Sequence, residues 1–230
     1  HYLDADGVRQ HDTAAMYDSF GLPPHTVVDV ADLADIDVDI LFCSNTKPIK
    51  PRSYGACVEM FHGLSFRNRA VRTERDAYDW YFVLGPYQHR RMFQRDVLHD
   101  GDSRGVPIGF PKTDRLLDGS LDRQATLAEL GLSGTRPVVL YAPTGAHDNS
   151  LETFGEDLIR RVGASADYDL LIKPHDHPKA AINWFERLAP LENEHVRLLR
   201  SADAIPALHA SDLLISDASS IANEYLMLDR

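Results

Sequence analysis

The fold of this chain is decided by one stretch near its C-terminus, Leu213–Tyr225, which reads LLISDASSIANEY. An apolar start gives way to the small polar residues 216–220. The apolar side chains that follow, Ile221, Tyr225 and Leu228, recur at the spacing of one helix face. The stretch therefore predicts a buried strand that turns directly into a helix, which is the repeating unit of α/β proteins.

The polar turn of this stretch is a candidate site for an anionic oxygen. The first backbone N–H groups of a helix have no partner inside the helix, and together with the hydroxyls of Ser219 and Ser220 they could hold a phosphate. The alternative is that Asp217, Ser219 or Ser220 only caps the helix, as such residues commonly do.

The same alternation of strand and helix extends over most of the sequence. Near-continuous apolar runs, typical of strands buried on both faces of a parallel sheet, occupy 38–44, 56–61, 79–85, 137–144, 168–174, 195–199 and 212–216. Helical patterns occupy 86–96, 122–130, 151–162, 178–189 and 203–210. Asp122 and Gly131 stand where an N-cap and a C′ glycine belong. These patterns predict an α/β protein.

The turn formers near Gly119–Arg123 predict a division into two Rossmann-like halves, 1–120 and 121–230, with a cleft between them. Few strands precede the first convincing one, and the final helical pattern is cut short at Arg230. The chain begins with His1 rather than Met. We therefore expect both halves to be incomplete and the chain to be a piece of a longer protein.

Composition excludes several classes of protein. The 230 residues are 43% hydrophobic, and no stretch reaches the roughly 18–20 apolar residues of a membrane-spanning helix. No secretory pattern is present, and the two cysteines, Cys43 and Cys57, are too few for a disulfide framework. The net charge of −11, without a basic stripe, argues against nucleic-acid binding. A soluble, cytoplasmic protein is expected.

One window departs from the acidic average. Residues 44–75 contain seven cations and two anions, a net of +5 that leaves −16 for the rest of the chain. The cations are Lys47, Lys50, Arg52, Arg67, Arg69, Arg72 and Arg75. Such a patch suggests an anionic ligand. The alternative is a solvated loop whose arginines pair with the Asp-rich surface.

Ligands of open α/β sheets bind beyond the carboxyl ends of the strands, and unusual polar residues follow several predicted strands here. Thr144 and the pair Lys173-Pro174 follow two of them. His62 and His175 follow strands in opposite halves, where a cleft would bring them face to face. An imidazole can take a proton from a hydroxyl or give one to a phosphate. A lone histidine is more often a packed or surface residue, and a strand-end lysine is usually only solvated.

A metal site is a weaker hypothesis. His147-Asp148 and the pair His175 and His177 could contribute ligands, but their spacing matches no zinc signature. We expect no metal.

Taken in order, five segments resemble the motifs of the CDP-glycerol glycerophosphotransferase family, whose GT-B-like members build teichoic-acid-type polyols. The family pattern reads Trp-His-Gly, Gly-x-Pro-x-x-Asp, Tyr-Ala-Pro-Thr, Lys-Pro-His and Asp-Tyr-Ser-Ser. The corresponding residues here are Phe61-His62-Gly63, Gly109-Phe110-Pro111-Lys112-Thr113-Asp114, Tyr141-Ala142-Pro143-Thr144, Lys173-Pro174-His175 and Asp217-Ala218-Ser219-Ser220. The resemblance extends over residues 40–230.

The resemblance implies that a polyol phosphate moves from a CDP-alcohol to a hydroxyl acceptor. His62 would be the base for the acceptor, and His175 would contact the transferred phosphate. The donor would be bound by Gly63, Thr144, Lys173, Pro174, Asp217, Ser219 and Ser220. Arg67, Arg69 and Asp114 would contact the acceptor or another anion. The half 1–120 would be the acceptor side and the half 121–230 the nucleotide-donor side. No cofactor is implied beyond the CDP-alcohol substrate, and the acceptor would be a polyol or glycan, free or lipid-linked.

Several departures leave donor and acceptor open. Gly145 and Ala146 replace the usual aromatic and arginine, Ala218 replaces a tyrosine, and Phe61 replaces a tryptophan. Two alternatives therefore stand beside phosphotransfer: a GT-B glycosyltransferase or epimerase that uses a UDP-sugar, and a binding module without catalysis. The family role implies a cytoplasmic location. It also suggests peripheral contact at the inner face of the membrane, which is to be tested.

Overall fold

The structure, a computed structural model, describes residues 2–3, 9–10, 21–23, 26–44, 48–63, 71, 76–145, 148–165, 167–175 and 182–230. The chain divides into two compact units, His1–Phe110 and Pro111–Arg230. The turn-rich segment 119–123, where the sequence predicted the division, lies in the second unit. The acceptor and donor roles assigned to the two halves, and the cleft between them, stay predictions.

The first unit is built on a parallel four-stranded sheet. A short antiparallel pair, β1 (Tyr2–Leu3) and β2 (Arg9–Gln10), precedes it. The sheet contains β3 (Asp37–Cys43), β4 (Ser53–Met60), β5 (Trp80–Val83) and β6 (Gly105–Pro107), in the order β3-β4-β5-β6. A 3₁₀ turn, Val30–Asp35, leads into β3, and helix α1 (Pro86–Gln94) follows β5. Met92 of α1 is buried in a core with Cys57, Tyr81 and Val83.

The second unit repeats this plan. Its strands are β7 (Val138–Tyr141), β8 (Asp169–Ile172), β9 (Val196–Leu198) and β10 (Leu213–Ile215), all parallel, in the order β10-β7-β8-β9. Its helices are α2 (Arg123–Glu129), α3 (Glu156–Gly163), α4 (Trp184–Leu188), α5 (Ile205–Ala210) and α6 (Ile221–Tyr225). Short 3₁₀ turns occupy Pro111–Leu116, Ala189–Leu191 and Leu226–Leu228, and a π-helical turn, Leu151–Gly155, opens α3.

The central strands of the second sheet are buried on both faces, which confirms the prediction from their apolar runs. All residues of β7 and β8 are buried. Leu140 and Leu171 face one apolar core, and Tyr141 and Ile172 face the other. At roughly 25 cal/mol per Å² of buried apolar surface, two such cores supply the main driving force for folding this unit.

Most predicted helices are present. Helix α2 is capped as the sequence predicted, since the side chain of Asp122 accepts a bond from the N–H of Ala125, and Gly131 has a φ of +72°. The helix predicted over 178–189 is shorter, because α4 begins only at Trp184, and residues 178–181 lie outside the described residues. Strand β6 was missed, since its three residues, GVP, carry two strand breakers.

Strand β3 corrects one prediction. Its apolar run was expected to be buried on both faces, but it is an edge strand, and the side chains of Ile40 and Phe42 are 53% and 52% exposed. Trp80 of β5 is also exposed. Phe42, Val58 and Trp80 are in register on neighbouring strands, so the exposed side chains share one face of the sheet. Hydrophobicity alone does not reveal which face of a sheet is left uncovered. None of the helices in the described residues reaches the length and apolarity needed to cross a bilayer.

A charged pair in the first unit predicts a pH-dependent stability. The Arg104 guanidinium donates to both carboxylate oxygens of Asp102 and holds the pKa of that carboxyl down at about 2. Because this pKa lies below the unfolded value of roughly 3.9, the pair stabilises the fold above that pH and loses its effect as the pH falls toward 2. Arg104 is 27% exposed, so we expect Asp102→Asn to cost only about 1 kcal/mol at pH 7.

Urea unfolding of the wild type and Asp102→Asn at pH 7 and pH 3 measures this effect. The difference between the two proteins should shrink by about half at pH 3. Asp100→Asn, on the neighbouring exposed turn, is the matched control and should change neither value. A difference that stays constant with pH would contradict the assignment.

Candidate functional site

Three strand ends of the second unit form one candidate site. Strands β10, β7 and β8 are neighbours and parallel, so their carboxyl ends lie at the same edge of the sheet. The segments that leave these ends are 216–220, 142–145 and 173–175. The second unit thus brings the donor residues predicted from the sequence in this half to one edge, the position at which open α/β sheets bind ligands.

Ser219 and Ser220 lie at the start of α6. Ser220 is the N-cap residue but makes no side-chain capping bond, and Ser219 donates its backbone N–H to the carbonyl of Asp217. In the part of the chain that the structure describes, no group accepts a bond from either serine hydroxyl, and both side chains are half-buried. Capping by these two serines, the alternative explanation, is therefore not what the structure shows. Their contact with a phosphate stays a prediction.

The carboxylate of Asp217, unlike the hydroxyls of Ser219 and Ser220, is hydrogen-bonded within the protein. Its Oδ1 accepts a 2.5 Å bond from the N–H of Thr144, and its Oδ2 accepts bonds of 3.1 Å and 2.9 Å from the N–H and hydroxyl of Ser150. Tyr141 lies behind this group, with its buried hydroxyl 2.9 Å from that of Ser150. Burial raises the pKa of Tyr141, so the phenol stays protonated. The carboxylate thus ties the turn after β10 to the loop after β7.

Gly145 and His175 lie in direct contact. A Cβ on Gly145 would be 2.6 Å from Nδ1 and 2.7 Å from Cγ of His175, so any other residue at 145 would displace the ring. The exposed His175 follows the buried Pro174, and the backbone N–H of Lys173 donates to the carbonyl of Tyr141. These contacts give a physical reason for a residue without a side chain at position 145.

In the first unit, His62 lies just beyond the carboxyl end of β4, beside the half-buried Gly63. Its Nδ1 is 2.6 Å from the carbonyl oxygen of Ser44, which follows the neighbouring strand β3. A carbonyl can only accept, so Nδ1 carries the proton of the neutral ring and Nε2 keeps a free lone pair. The side chain is exposed. This geometry suits a general base. The role of His62 as that base stays a prediction.

The positive window 44–75 is only partly described. Lys50 donates to the hydroxyl of Tyr54 at 2.7 Å, and Arg52 pairs with Asp37 at 3.3 Å. Both cations are therefore engaged within the protein, and the Arg52–Asp37 pair is of the kind that the solvated-loop alternative predicts. The other five cations, among them the predicted anion contacts Arg67 and Arg69, lie outside the described residues.

Asp114 lies in the 3₁₀ turn 111–116 of the second unit, with its side chain exposed. Its carbonyl accepts bonds from the N–H groups of Leu117 and Asp118. Among the described residues, its carboxylate contacts none of the other predicted site residues, so its contact with an acceptor stays a prediction.

Sequence reasoning missed a buried carboxylate on α6. Glu224 is 1% exposed, and Lys112 Nζ lies 2.9 Å from its Oε1 and 2.8 Å from its Oε2, with hydrogen-bond geometry only to Oε1. The position of Lys112 in the Gly-x-Pro-x-x-Asp motif was the available signal, but its partner is 112 residues away. The pair anchors α6 to the turn 111–116.

We expect the loss of the Lys112 cation to lower the stability of the fold. Lys112→Met would leave the buried carboxylate of Glu224 without its partner, and we expect the free energy of unfolding to fall by about 2 kcal/mol. Adding Glu224→Gln removes the uncompensated charge and should restore part of the loss, as urea unfolding would show. A change below about 0.5 kcal/mol in Lys112→Met would contradict this role.

Metal ligation finds no support in the geometry. The described residues contain no group of three or more His, Cys, Asp or Glu side chains placed to hold a metal ion. Of the suggested ligands, His147 and His177 lie outside them. Metal-independent chemistry stays a prediction.

Comparison with known proteins identifies similar glycerophosphotransferase sequences. A sequence profile described as CDP-Glycerol:Poly(glycerophosphate) glycerophosphotransferase matches residues 57–230. The teichoic acid poly(glycerol phosphate) polymerase of Staphylococcus epidermidis is 24% identical over 168 residues, which cover 68% of this chain and 22% of that protein.

Solved structures confirm the predicted GT-B-like α/β fold. A histidine variant of the wall teichoic acid polymerase TagF has a TM-score of 0.63 at 17% identity, over 84% of this chain and 53% of that one. The S. aureus MnaA-UDP co-structure has a TM-score of 0.51 at 10% identity, over 89% of this chain and 64% of that one. The chain therefore spans about a fifth of the curated relative and about half of TagF.

Proposed function

Because the chain belongs to the CDP-glycerol:poly(glycerophosphate) glycerophosphotransferase family, we propose that it transfers a glycerol-phosphate or related polyol-phosphate group from a CDP-alcohol to a hydroxyl acceptor. One observation carries the proposal: the family match over 57–230 includes both histidines and every predicted donor residue. The names of the relatives add support, since one is a poly(glycerol phosphate) polymerase and another is TagF soaked with CDPG.

The proposed reaction is an in-line displacement at the phosphorus that carries the alcohol. The acceptor oxygen forms a bond to this phosphorus, the bond from the phosphorus to the oxygen of the CMP phosphate breaks, and CMP leaves. Nε2 of His62 takes the proton of the acceptor hydroxyl, since Nδ1 is held by the carbonyl of Ser44. Ser219, Ser220 and His175 donate hydrogen bonds to the phosphates and orient them, and such positioning supplies most of the rate enhancement of a transfer of this kind.

The acceptor and the place of action follow from the family role. We propose a polyol or glycan polymer of the cell envelope or capsule as the acceptor, free or linked to a lipid. The reaction would take place on the cytoplasmic side, with peripheral contact at the inner face of the membrane. Sedimentation with vesicles that contain anionic lipid tests that contact.

Release of CMP from CDP-glycerol or CDP-ribitol tests the proposed reaction. The 230-residue chain is incubated with the donor and a polyol-phosphate acceptor, with and without EDTA. We expect turnover in both conditions and its loss in His62→Ala and in His175→Ala. Full activity in both variants would contradict the proposal, and a requirement for a divalent metal would contradict the metal-free reaction.

The fold shared with the MnaA-UDP co-structure keeps transfer from a UDP-sugar as the second candidate. Thermal unfolding in the presence of CDP, UDP or GDP separates the two, because a ligand that binds only the folded state raises Tm with its concentration and affinity. We expect the largest shift with CDP. A clear preference for UDP would favour the second candidate, and binding without turnover would favour a non-catalytic module.

A further inference from the structure

We propose that Asp217 is a positioning residue: its carboxylate fixes the backbone of Thr144 and Gly145, against which the imidazole of His175 rests. The inference rests on the proposed function for its catalytic consequence and on the geometry alone for its structural part. It replaces the expectation that Asp217 binds the donor itself.

The carboxylate of Asp217 is already occupied. One oxygen accepts a bond from the N–H of Thr144, and the other accepts two bonds from Ser150. These partners lie 73 and 67 positions away in the sequence, so the contacts join separate loops rather than one local turn. Bonds between a charged acceptor and backbone N–H groups are about twice as strong as neutral ones. Asp217 therefore holds the loop after β7 at two points.

The charge of Asp217 argues in the same direction. A carboxylate at the site of a pyrophosphate would repel it, whereas the unengaged hydroxyls of Ser219 and Ser220 would attract it. The N–H of Ser150 carries a partial positive charge and attracts the carboxylate instead. Ser150 stands at the N-terminus of the π-helical turn that leads into α3, where the helix dipole is positive. The carboxylate is thus satisfied by the protein, and the neighbouring hydroxyls remain for a ligand.

The loop that Asp217 holds is the one on which His175 rests. Gly145 follows Thr144 directly, and the nearest atom of the His175 ring lies 2.6 Å from where a Cβ of Gly145 would be. A shift of this backbone by a few tenths of an ångström would therefore move the ring or open a gap beneath it. The alignment of His175 with the transferred phosphate would change, and misplacement of a catalytic group lowers rates steeply.

Asp212 provides a matched control at the other end of the same strand. Its carboxylate accepts a 2.8 Å bond from the N–H of Val138, at the start of β7, and binds Arg123 through both oxygens. Asp212 and Asp217 thus fasten β10 to β7 at opposite ends, but only Asp217 faces the candidate site. Loss of either should destabilise the fold, and only loss of Asp217 should affect His175.

The test compares Asp217→Asn, Gly145→Ala and Asp212→Asn in the full chain. The imidazole ¹H–¹³C resonance of His175, identified among the 11 histidines by its absence in His175→Gln, reports the surroundings of the ring without any turnover. We expect it to move in the first two variants and to stay in Asp212→Asn. We also expect kcat for CMP release to fall about 10–100-fold in the first two, with KM for the donor within about threefold.

The outcomes separate the two proposals. A tenfold rise in KM with unchanged kcat in Asp217→Asn would make Asp217 a donor ligand and overturn the inference. An unmoved His175 resonance in Asp217→Asn would also overturn it, whatever the result in Gly145→Ala. If the wild type releases no CMP but the resonance moves as expected, the positioning role stands and the proposed function fails. If Asp217→Asn does not fold, Ser150→Ala decides, because it removes one of the bonds to the carboxylate and leaves Asp217 in place. We expect the His175 resonance to move in this variant as well, and an unmoved one would overturn the inference.

Discussion

His62→Asn is expected to lower kcat for CMP release by about 10²–10⁴-fold, the range that a general base usually contributes. The asparagine amide can still donate to the carbonyl of Ser44, as Nδ1 of His62 does at 2.6 Å, so the local fold should persist. What the variant lacks is the lone pair at the position of Nε2. The acceptor hydroxyl would then have no group to take its proton.

Steady-state kinetics with saturating donor and acceptor measure this loss. His89→Asn is the matched control in the same unit, since His89 packs edge-on against Phe93 of α1 and serves no predicted chemistry. It should leave kcat within about twofold. If His62→Asn retained more than a tenth of the wild-type kcat, His62 would not be the base.

The double variant Ser219→Ala, Ser220→Ala is expected to raise KM for the donor about 10²-fold. Each hydroxyl would donate one bond to a charged phosphate oxygen, and the loss of such a bond costs about 1.5 kcal/mol, or roughly tenfold in affinity. The fold should change little, because neither hydroxyl caps α6 or bonds to another described residue.

Ser216→Ala is the control for this prediction. Ser216 lies in the same turn, but its hydroxyl donates a 2.7 Å bond to the carbonyl of Ala142 inside the protein. Its loss should lower stability by about 1 kcal/mol and leave the donor KM within about twofold. Equal KM values for the double variant and the wild type would mean that the donor phosphates do not bind to these two serines.

The sequence predicted those parts of the fold that local patterns determine. Strands β7 and β8 followed from apolar runs with no exposed face, and α2 followed from Asp122 and Gly131 at its two ends. The exposure of Phe42 could not follow from such a pattern, because it depends on which face of the sheet is left uncovered.

Within the candidate site, the sequence identified residue types but not their partners. The positions of Ser219 and Ser220 at a helix start were predictable from neighbouring residues. The bonds from Asp217 to Thr144 and Ser150 join residues about seventy positions apart, and the contact between Gly145 and His175 joins two loops. Such pairings arise only when β10, β7 and β8 align, so a donor ligand and a positioning residue look alike in the sequence.

A crystal structure of the chain soaked with CDP-glycerol would show whether the donor binds at the carboxyl ends of β7, β8 and β10. We expect the donor pyrophosphate within hydrogen-bond distance of the hydroxyls of Ser219 and Ser220, with His175 beside the phosphate that carries glycerol. Asp217 should keep its bonds to Thr144 and Ser150. A nucleotide bound away from the carboxyl ends of β7, β8 and β10, or a pyrophosphate that contacts neither serine, would contradict the proposed donor site.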